Sequence, residues 1–208
     1  MKDLSPSEFE ARWSAIHGGA EIKGAVAWWL SISYQAARIC SALRISPNFL
    51  TLLGLLTAAA MAFSDYAEIA LLLLVTSLIF DGIDGSVAIV QQRESNWGSL
   101  LDSLADRISE AFWLYMGWKI GIPAWIAISM WTIASTQEYA RARLASLGHH
   151  EIGVVTLTER PVRASFMAIA LVIFILGLPG LEVISYVFLG ALIYSFLRVM
   201  RVTFLILR

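Results

Sequence analysis

Hydrophobic runs of about twenty residues follow one another along most of this chain, and polar or glycine-containing links separate them. A transmembrane helix needs about 20 mainly apolar residues. The pattern therefore predicts six transmembrane helices, at about 47–64, 67–90, 98–118, 122–143, 163–179 and 182–204.

Two amphipathic helices are predicted before the first of these runs. Ser5 to Glu8 form a capping box with proline at the first helical position, and this helix should stop at Gly18. A second helix over about 21–44 has one apolar side and one polar side, which is typical of a helix lying in the membrane interface. The alternative is a seventh span over 24–43, but Arg38 in its middle favours the interface.

Composition agrees with a membrane protein. The chain has 208 residues, of which 58% are hydrophobic, and its mean hydropathy is +0.71. These values are too apolar for an ordinary soluble domain. We predict an all-α integral membrane protein with juxtamembrane helices over 1–45 and one six-helix membrane domain over 46–208.

The positive charges lie mainly on one side of this topology. If the N-terminus is cytoplasmic, the outer links contain only Lys119 of the 15 Lys and Arg residues. This asymmetry predicts a multi-pass protein of the cell inner (plasma) membrane with both termini in the cytoplasm. A net charge of −1 offers no argument for nucleic-acid binding.

Four aspartates stand out between the second and third runs. Asp81 and Asp84 are three residues apart, and Asp102 and Asp106 are four apart, so each pair lies on one helix face. The short link between the runs allows the two helices to lie side by side. Converging carboxylates repel each other unless cations neutralise them, and such hard ligands suit Mg²⁺, Mn²⁺ or Ca²⁺ rather than zinc.

The same stretch resembles the signature of the CDP-alcohol phosphatidyltransferases, D-x-x-D-G-x-x-A-R followed after eight residues by G-x-x-x-D-x-x-x-D. Ile89 stands where that signature has arginine, so the function of the arginine would be absent or supplied from elsewhere, such as by Arg93. The positions that match are Asp81, Asp84, Gly85, Ala88, Gly98, Asp102 and Asp106.

This resemblance implies an enzyme that transfers a phosphatidyl group from CDP-diacylglycerol to a small alcohol and releases CMP. It implies two Mg²⁺ or Mn²⁺ ions on Asp81, Asp84, Asp102 and Asp106, with Asp106 also taking the proton of the acceptor hydroxyl. It further implies membrane lipids as surroundings and a homodimer. The loop charges place the four aspartates, and with them the active site of the 46–208 catalytic domain, at the cytoplasmic edge. The expected CDP-binding residues are Asn48, Thr51, Asp81, Asp84, Gly85, Ala88 and Gly98.

Three arginines near later helix ends are candidates for binding the acceptor. Arg141 lies in a segment that resembles Y-x-[KR]-A-R, and Arg160 and Arg163 lie in one that resembles E-R-P-x-R, as found in phosphatidylinositol-phosphate and phosphatidylglycerophosphate synthases. Guanidinium groups bind phosphate well, which favours a phosphorylated alcohol. Inositol phosphate is slightly ahead of glycerol 3-phosphate, although Glu138 would repel either.

Two other classes of function fit some of these features. Intramembrane acids also occur in cation or proton-coupled transporters, and small-residue helix faces would suffice for an assembly scaffold. Transporter sites tend to lie near the midplane between repeated halves. Here the acids cluster at one side and no repeat is visible, so an enzyme is favoured.

Overall fold

The computed structural model describes residues 4–16, 18–149 and 156–208, and within them the regular secondary structure is entirely helical. The predicted all-α class is confirmed, and the helix bounds lie within about four residues of the predicted ones. The eight described helices are α1 (Pro6–Ile16), α2 (Ala25–Ala42), α3 (Pro47–Phe63), α4 (Ala67–Gln91), α5 (Asn96–Lys119), α6 (Ala124–Ser146), α7 (Arg160–Ile175) and α8 (Leu181–Leu207).

Local side chains explain where several helices begin. The predicted capping box is present at α1, where the Ser5 backbone N–H donates to Glu8 Oε2 at 2.8 Å and the Glu8 N–H donates to Ser5 Oγ at 3.3 Å. Ser46 Oγ accepts from the Phe49 N–H at 3.3 Å and caps α3. Ser95 Oγ accepts from the Gly98 N–H at 3.0 Å and caps α5.

Two of the described helices, α4 and α8, are long and apolar enough to cross a membrane by themselves, with 25 and 27 residues. Helices α2 and α3 reach that length and hydropathy only together, and they are bent by 110° at the break between them. Helices α3 and α7 have 17 and 16 residues, fewer than the roughly 20 that a span needs. The six-span count therefore stays a prediction.

One compact unit comprises Met1–Ala59 and Leu73–Ser109. Its core joins residues from α1 to α4, including Phe9, Leu30, Leu50 and Val87. Between α3 and α4, Ser77 Oγ donates to the Gly54 carbonyl at 2.7 Å, and a Cβ added at Gly54 would lie 3.4 Å from the Ser77 carbonyl oxygen. The missing side chain at Gly54 thus allows the two helices to pack closely at this level.

The second compact unit comprises Ala60–Leu72 and Glu110–Arg208. Within it α8 packs against α6 and α7, and Phe166 stacks on Phe188 with ring centroids 4.2 Å apart. Trp113, Met130 and Leu192 are among its fully buried side chains.

Helix α2 has three distinct sides. One side is buried inside the first unit and consists of Leu30, Ser33, Ala37 and Cys40. A second side is an exposed apolar stripe of Trp28, Ile32 and Ile39. Ser31, Gln35 and Arg38 form a third, polar and exposed side. An exposed apolar stripe beside a polar one is what an interfacial helix presents to lipid and to water.

Candidate active site

Three of the four motif aspartates converge. Asp81 of α4 and Asp102 and Asp106 of α5 each offer a carboxylate oxygen, and these oxygens lie within 4.8 Å of one another. All three residues are partly exposed. Three hard oxygen ligands at this spacing, accessible from outside, fit a divalent cation such as Mg²⁺ or Mn²⁺.

Asp84 is placed differently from the other three. It is only 6% exposed and is not in that group, and its Oδ2 accepts a hydrogen bond of 2.5 Å from Thr51 Oγ1 on α3. Thr51, which the sequence assigns to CDP binding, thus touches one of the predicted ligands. The structure brings three of the predicted metal ligands together and holds the fourth against the neighbouring helix.

The small residues of the motif have unequal surroundings. Gly85 is exposed, and a Cβ added there would meet no atom within 4 Å, so the surface over Gly85 is open. Ala88 and Asn48 are partly buried. At Gly98 an added Cβ would lie 3.4 Å from Asn48 Oδ1, so these two predicted CDP-binding residues are neighbours. Open space next to Asp81 is what a ligand held by the acidic group requires.

Trp29 is a neighbour of this site that the sequence pattern did not single out. A Cβ added at Gly82 would lie 2.6 Å from Trp29 Cζ2, so the indole of α2 rests directly on α4 beside the motif. Trp29 belongs to the predicted helix over about 21–44, to which the sequence assigned no residue of the site. Its contact with Gly82 depends on the tertiary fold, which helical periodicity does not report.

Ile89 occupies the position of the signature arginine and is buried. It is 3% exposed and belongs to the same core as Phe9, Leu30 and Val87. Arg93, the suggested substitute, is exposed at the link after α4. At position 89 this chain therefore has an apolar residue that packs in the same core as residues of the N-terminal helices.

Arg163, a predicted acceptor ligand, is buried in the second unit and engaged by carboxylates. Its Nη2 donates to Glu110 Oε1 at 3.0 Å and to Glu138 Oε1 at 3.3 Å. Its Nη1 donates to the Thr158 carbonyl at 2.7 Å. A buried guanidinium with this many acceptors connects α5, α6 and α7.

Arg141 forms a two-pronged pair with Glu159. Its Nη1 and Nη2 donate to the two carboxylate oxygens at 2.9 and 2.8 Å. Burial by itself raises the pKa of Glu159, but hydrogen bonds from Arg141 and Thr156 outweigh it and lower that pKa to about 2. Glu159 is therefore a permanent anion at neutral pH.

Arg160 is the third predicted acceptor ligand. Its guanidinium lies 5.5 Å from the Trp113 ring centroid, a cation–π arrangement, and its Nε is 3.9 Å from Glu110 Oε1. The three predicted phosphate-binding arginines thus lie among three glutamates, Glu110, Glu138 and Glu159. Of these, only Glu138 was recognised from the sequence as an acid beside the site.

An apolar chain whose described elements are all helices, and which gathers three carboxylates where two helices meet, fits a membrane enzyme that depends on a divalent metal. The chain belongs to the CDP-alcohol phosphatidyltransferase family, which it matches over residues 44–204. Members of this family are enzymes that transfer a phosphatidyl-type group from a CDP-linked donor to an alcohol in phospholipid synthesis.

Individual relatives differ in the acceptor that their names imply. The archaetidylinositol phosphate synthase of Aeropyrum pernix is 36% identical over 56% of this chain and 62% of its own length. The phosphatidylinositol phosphate synthase of Streptomyces avermitilis is 31% identical over 67% and 63%. A CDP-diacylglycerol–serine O-phosphatidyltransferase of Mycobacterium bovis is 30% identical over 48% of this chain and 37% of its own length.

Proposed function

We propose that this enzyme transfers the phosphatidyl group of CDP-diacylglycerol to the hydroxyl of a phosphorylated polyol, with inositol phosphate as the first candidate. The observation that carries this proposal is the convergence of Asp81, Asp102 and Asp106 beside the open surface over Gly85. A pyrophosphate donor needs its charge neutralised at one point and needs room beside that point. These residues offer both.

The donor would be held by the acidic group and the small residues around it. When bound, Mg²⁺ or Mn²⁺ would neutralise the pyrophosphate and stabilise the leaving CMP. Asp81, Asp102 and Asp106 would hold the metal, and a second ion would involve Asp84. Asn48, Thr51, Gly85, Ala88 and Gly98 would line the space for the nucleotide.

Asp106 would take the proton from the acceptor hydroxyl. The hydroxyl oxygen then bonds to the phosphorus that carries diacylglycerol. The bond from that phosphorus to the bridging oxygen breaks, and CMP leaves with the electron pair. The products are CMP and a phospholipid that carries the acceptor.

The acceptor phosphate is assigned to Arg141, Arg160 and Arg163. The names of the two inositol phosphate relatives support this acceptor, and glycerol 3-phosphate is the alternative. Arg160 is a better candidate for first contact than Arg163, because the Arg160 side chain is 19% exposed, whereas the Arg163 side chain is 6% exposed and enclosed by its acceptors.

The same proposal includes the membrane arrangement. The chain would cross the membrane six times, with α1 and α2 in the interface and with the active site and both termini in the cytoplasm. In this arrangement the acyl chains of the donor would stay in lipid while CDP and the polyol arrive from water. A homodimer is also proposed, by analogy with the family.

The test is CMP release from CDP-diacylglycerol by the purified protein with Mg²⁺ or Mn²⁺. Inositol phosphate, glycerol 3-phosphate, serine and inositol are offered separately. Release should depend on metal and on inositol phosphate, and Asp102→Asn should abolish it. Release with serine alone would overturn the acceptor assignment, and an absence of metal-dependent release with any acceptor would overturn the transfer reaction.

A second experiment tests the acceptor site. Arg160→Ala should raise the KM for inositol phosphate at least tenfold and leave the KM for CDP-diacylglycerol unchanged. Arg143→Ala is the matched control, since Arg143 is an exposed arginine in the last turn of α6. Equal kinetics for the two variants would remove Arg160 from the site.

A further inference from the structure

Trp29 is in direct contact with the acidic helix one residue from a metal-ligand candidate. A Cβ at Gly82 would lie 2.6, 3.3 and 3.5 Å from Trp29 Cζ2, Cη2 and Cε2. Real Cβ atoms do not approach other atoms to 2.6 Å, so the six-membered part of the indole occupies the place of a side chain at position 82. Gly82 is therefore needed for the ring to sit where it does.

The position of Gly82 on α4 shows which part of the helix surface lies next to the Trp29 indole. At about 100° per residue, Gly85 projects about 40° from Asp81, and Gly82 projects about 60° further round in the same direction. The order around the helix is therefore Asp81, Gly85, Gly82. The open surface over Gly85 lies between the carboxylate group on one side and the Trp29 indole on the other.

A nucleotide is the part of the donor whose shape fits this space. Its phosphates carry the charge that the carboxylates and their metal would hold, and its base is a flat, polarisable ring joined to those phosphates through the ribose. Aromatic side chains stack on nucleobases, and replacing such a side chain by alanine costs about 1–3 kcal/mol per base. Trp29 lies within the same compact unit as the acidic group, half-buried against its core.

We propose that Trp29 is a binding residue for the nucleobase of the CDP donor, forming an aromatic wall opposite Asp81 across Gly85. This inference rests on the proposed function, because it needs a nucleotide at the acidic group. Gly82 acts through Trp29, by leaving room for the ring, and is a positioning residue.

The test uses the full-length protein in detergent with Mg²⁺, and CMP as the probe. Trp29→Ala should weaken CMP binding about 5- to 150-fold, the range that loss of one base stack gives, whereas Trp29→Phe should stay within a few-fold of wild type. Ribose 5-phosphate, which lacks the base, should compete equally well in all three proteins. Trp28→Ala is the matched control, since Trp28 is the next residue and 67% exposed.

A second pair of variants tests the geometry if Trp29→Ala does not fold. Gly82→Ala pushes the ring away and should weaken CMP binding, and Gly82→Ala combined with Trp29→Phe should restore it, because a phenyl ring is shorter than an indole. Equal losses for CMP and ribose 5-phosphate would mean that Trp29 merely supports α4, and would overturn the proposal. Unchanged CMP binding with a raised KM for CDP-diacylglycerol would assign the ring to the lipid instead.

These outcomes can be told apart from a failure of the proposed function. If the wild-type protein binds no CMP in the presence of metal, both proposals fall together. If the wild type binds CMP and releases it from CDP-diacylglycerol while Trp29→Ala does the same with wild-type affinity, only the assignment of Trp29 fails.

Discussion

At the scale of single residues, the four aspartates of one motif have two kinds of surroundings. Asp84 is buried and accepts from Thr51, whereas Asp81, Asp102 and Asp106 are partly exposed and share one space. A buried carboxylate with a hydroxyl donor has its orientation fixed by that donor. The three partly exposed carboxylates are directly accessible to an ion that arrives from water.

Asp106→Asn should lower the transfer rate by about 10²–10⁴-fold, the usual contribution of a general base. An amide can still ligate a metal but cannot take a proton, so CMP binding with Mg²⁺ should stay within several-fold of wild type. Asp65→Asn is the control, because the Asp65 side chain is 90% exposed. Wild-type turnover by Asp106→Asn would show that another group accepts the proton.

Ile89→Arg should destabilise the protein and should not increase its transfer rate. The new cation would replace a side chain that is 3% exposed and packed with Phe9 and Leu30, and burying an unpaired charge costs several kcal/mol. Ile89→Leu, which keeps the volume, should cost less than about 1.5 kcal/mol. Thermal unfolding in detergent measures both, and an arginine variant that is stable and faster would contradict this interpretation.

At the scale of helices and links, ion pairs connect elements that are distant from one another in the sequence. Glu159 precedes α7 and is held by Arg141 of α6, and Arg163 of α7 is held by Glu110 of α5. Removing one partner of such a pair leaves the other charge uncompensated, so these pairs restrict how the helices are arranged.

Glu159→Gln should lower the free energy of unfolding at pH 7 by about 1.5–3 kcal/mol, since it loses charged hydrogen bonds to Arg141. The pKa of Glu159 falls from a usual value of 4.5 to about 2 in the folded protein. The stability that its ionisation contributes is therefore complete above about pH 4.5 and is lost as the pH falls through 2.

The difference between wild type and Glu159→Gln should thus be constant from pH 5 to 8 and shrink below pH 4.5. Glu21→Gln is the control, because Glu21 is an exposed partner of Lys23. Urea unfolding in detergent at a series of pH values measures the difference. A difference that stayed the same down to pH 2.5 would contradict the role of the ionised pair.

Helix periodicity and capping residues were enough to predict an all-helical chain, and motif spacing led to the prediction that the four aspartates share one site. Neither could separate Asp84 from the other three, because Thr51 lies 33 positions earlier on another helix. For the same reason the pairing of Arg163 with Glu110, 53 positions apart, was not visible in the sequence. Local sequence patterns predict which residues share a face of a helix. Which residues of other helices that face contacts is seen only in the tertiary structure.

At the scale of the whole molecule, the loop charges predict an orientation in the membrane that can be checked with cysteines. Cys40 is the sole cysteine and is buried, so Cys40→Ser provides a background for single labels. Asp65→Cys should react with a membrane-impermeant maleimide in intact cells, and Arg93→Cys should react only after the cells are opened. The reverse pattern would place the acidic group outside the cell.

The contact between Trp29 and Gly82 also constrains how this protein can change over generations. A mutation that adds a side chain at position 82 displaces the indole unless position 29 already carries a smaller residue. Substitutions at positions 29 and 82, which are more than fifty residues apart in the chain, should therefore occur together. Descendants of this sequence should carry glycine at position 82 with tryptophan at position 29, or a larger residue at position 82 with a smaller ring at position 29. They should seldom carry a larger residue at position 82 together with tryptophan at position 29.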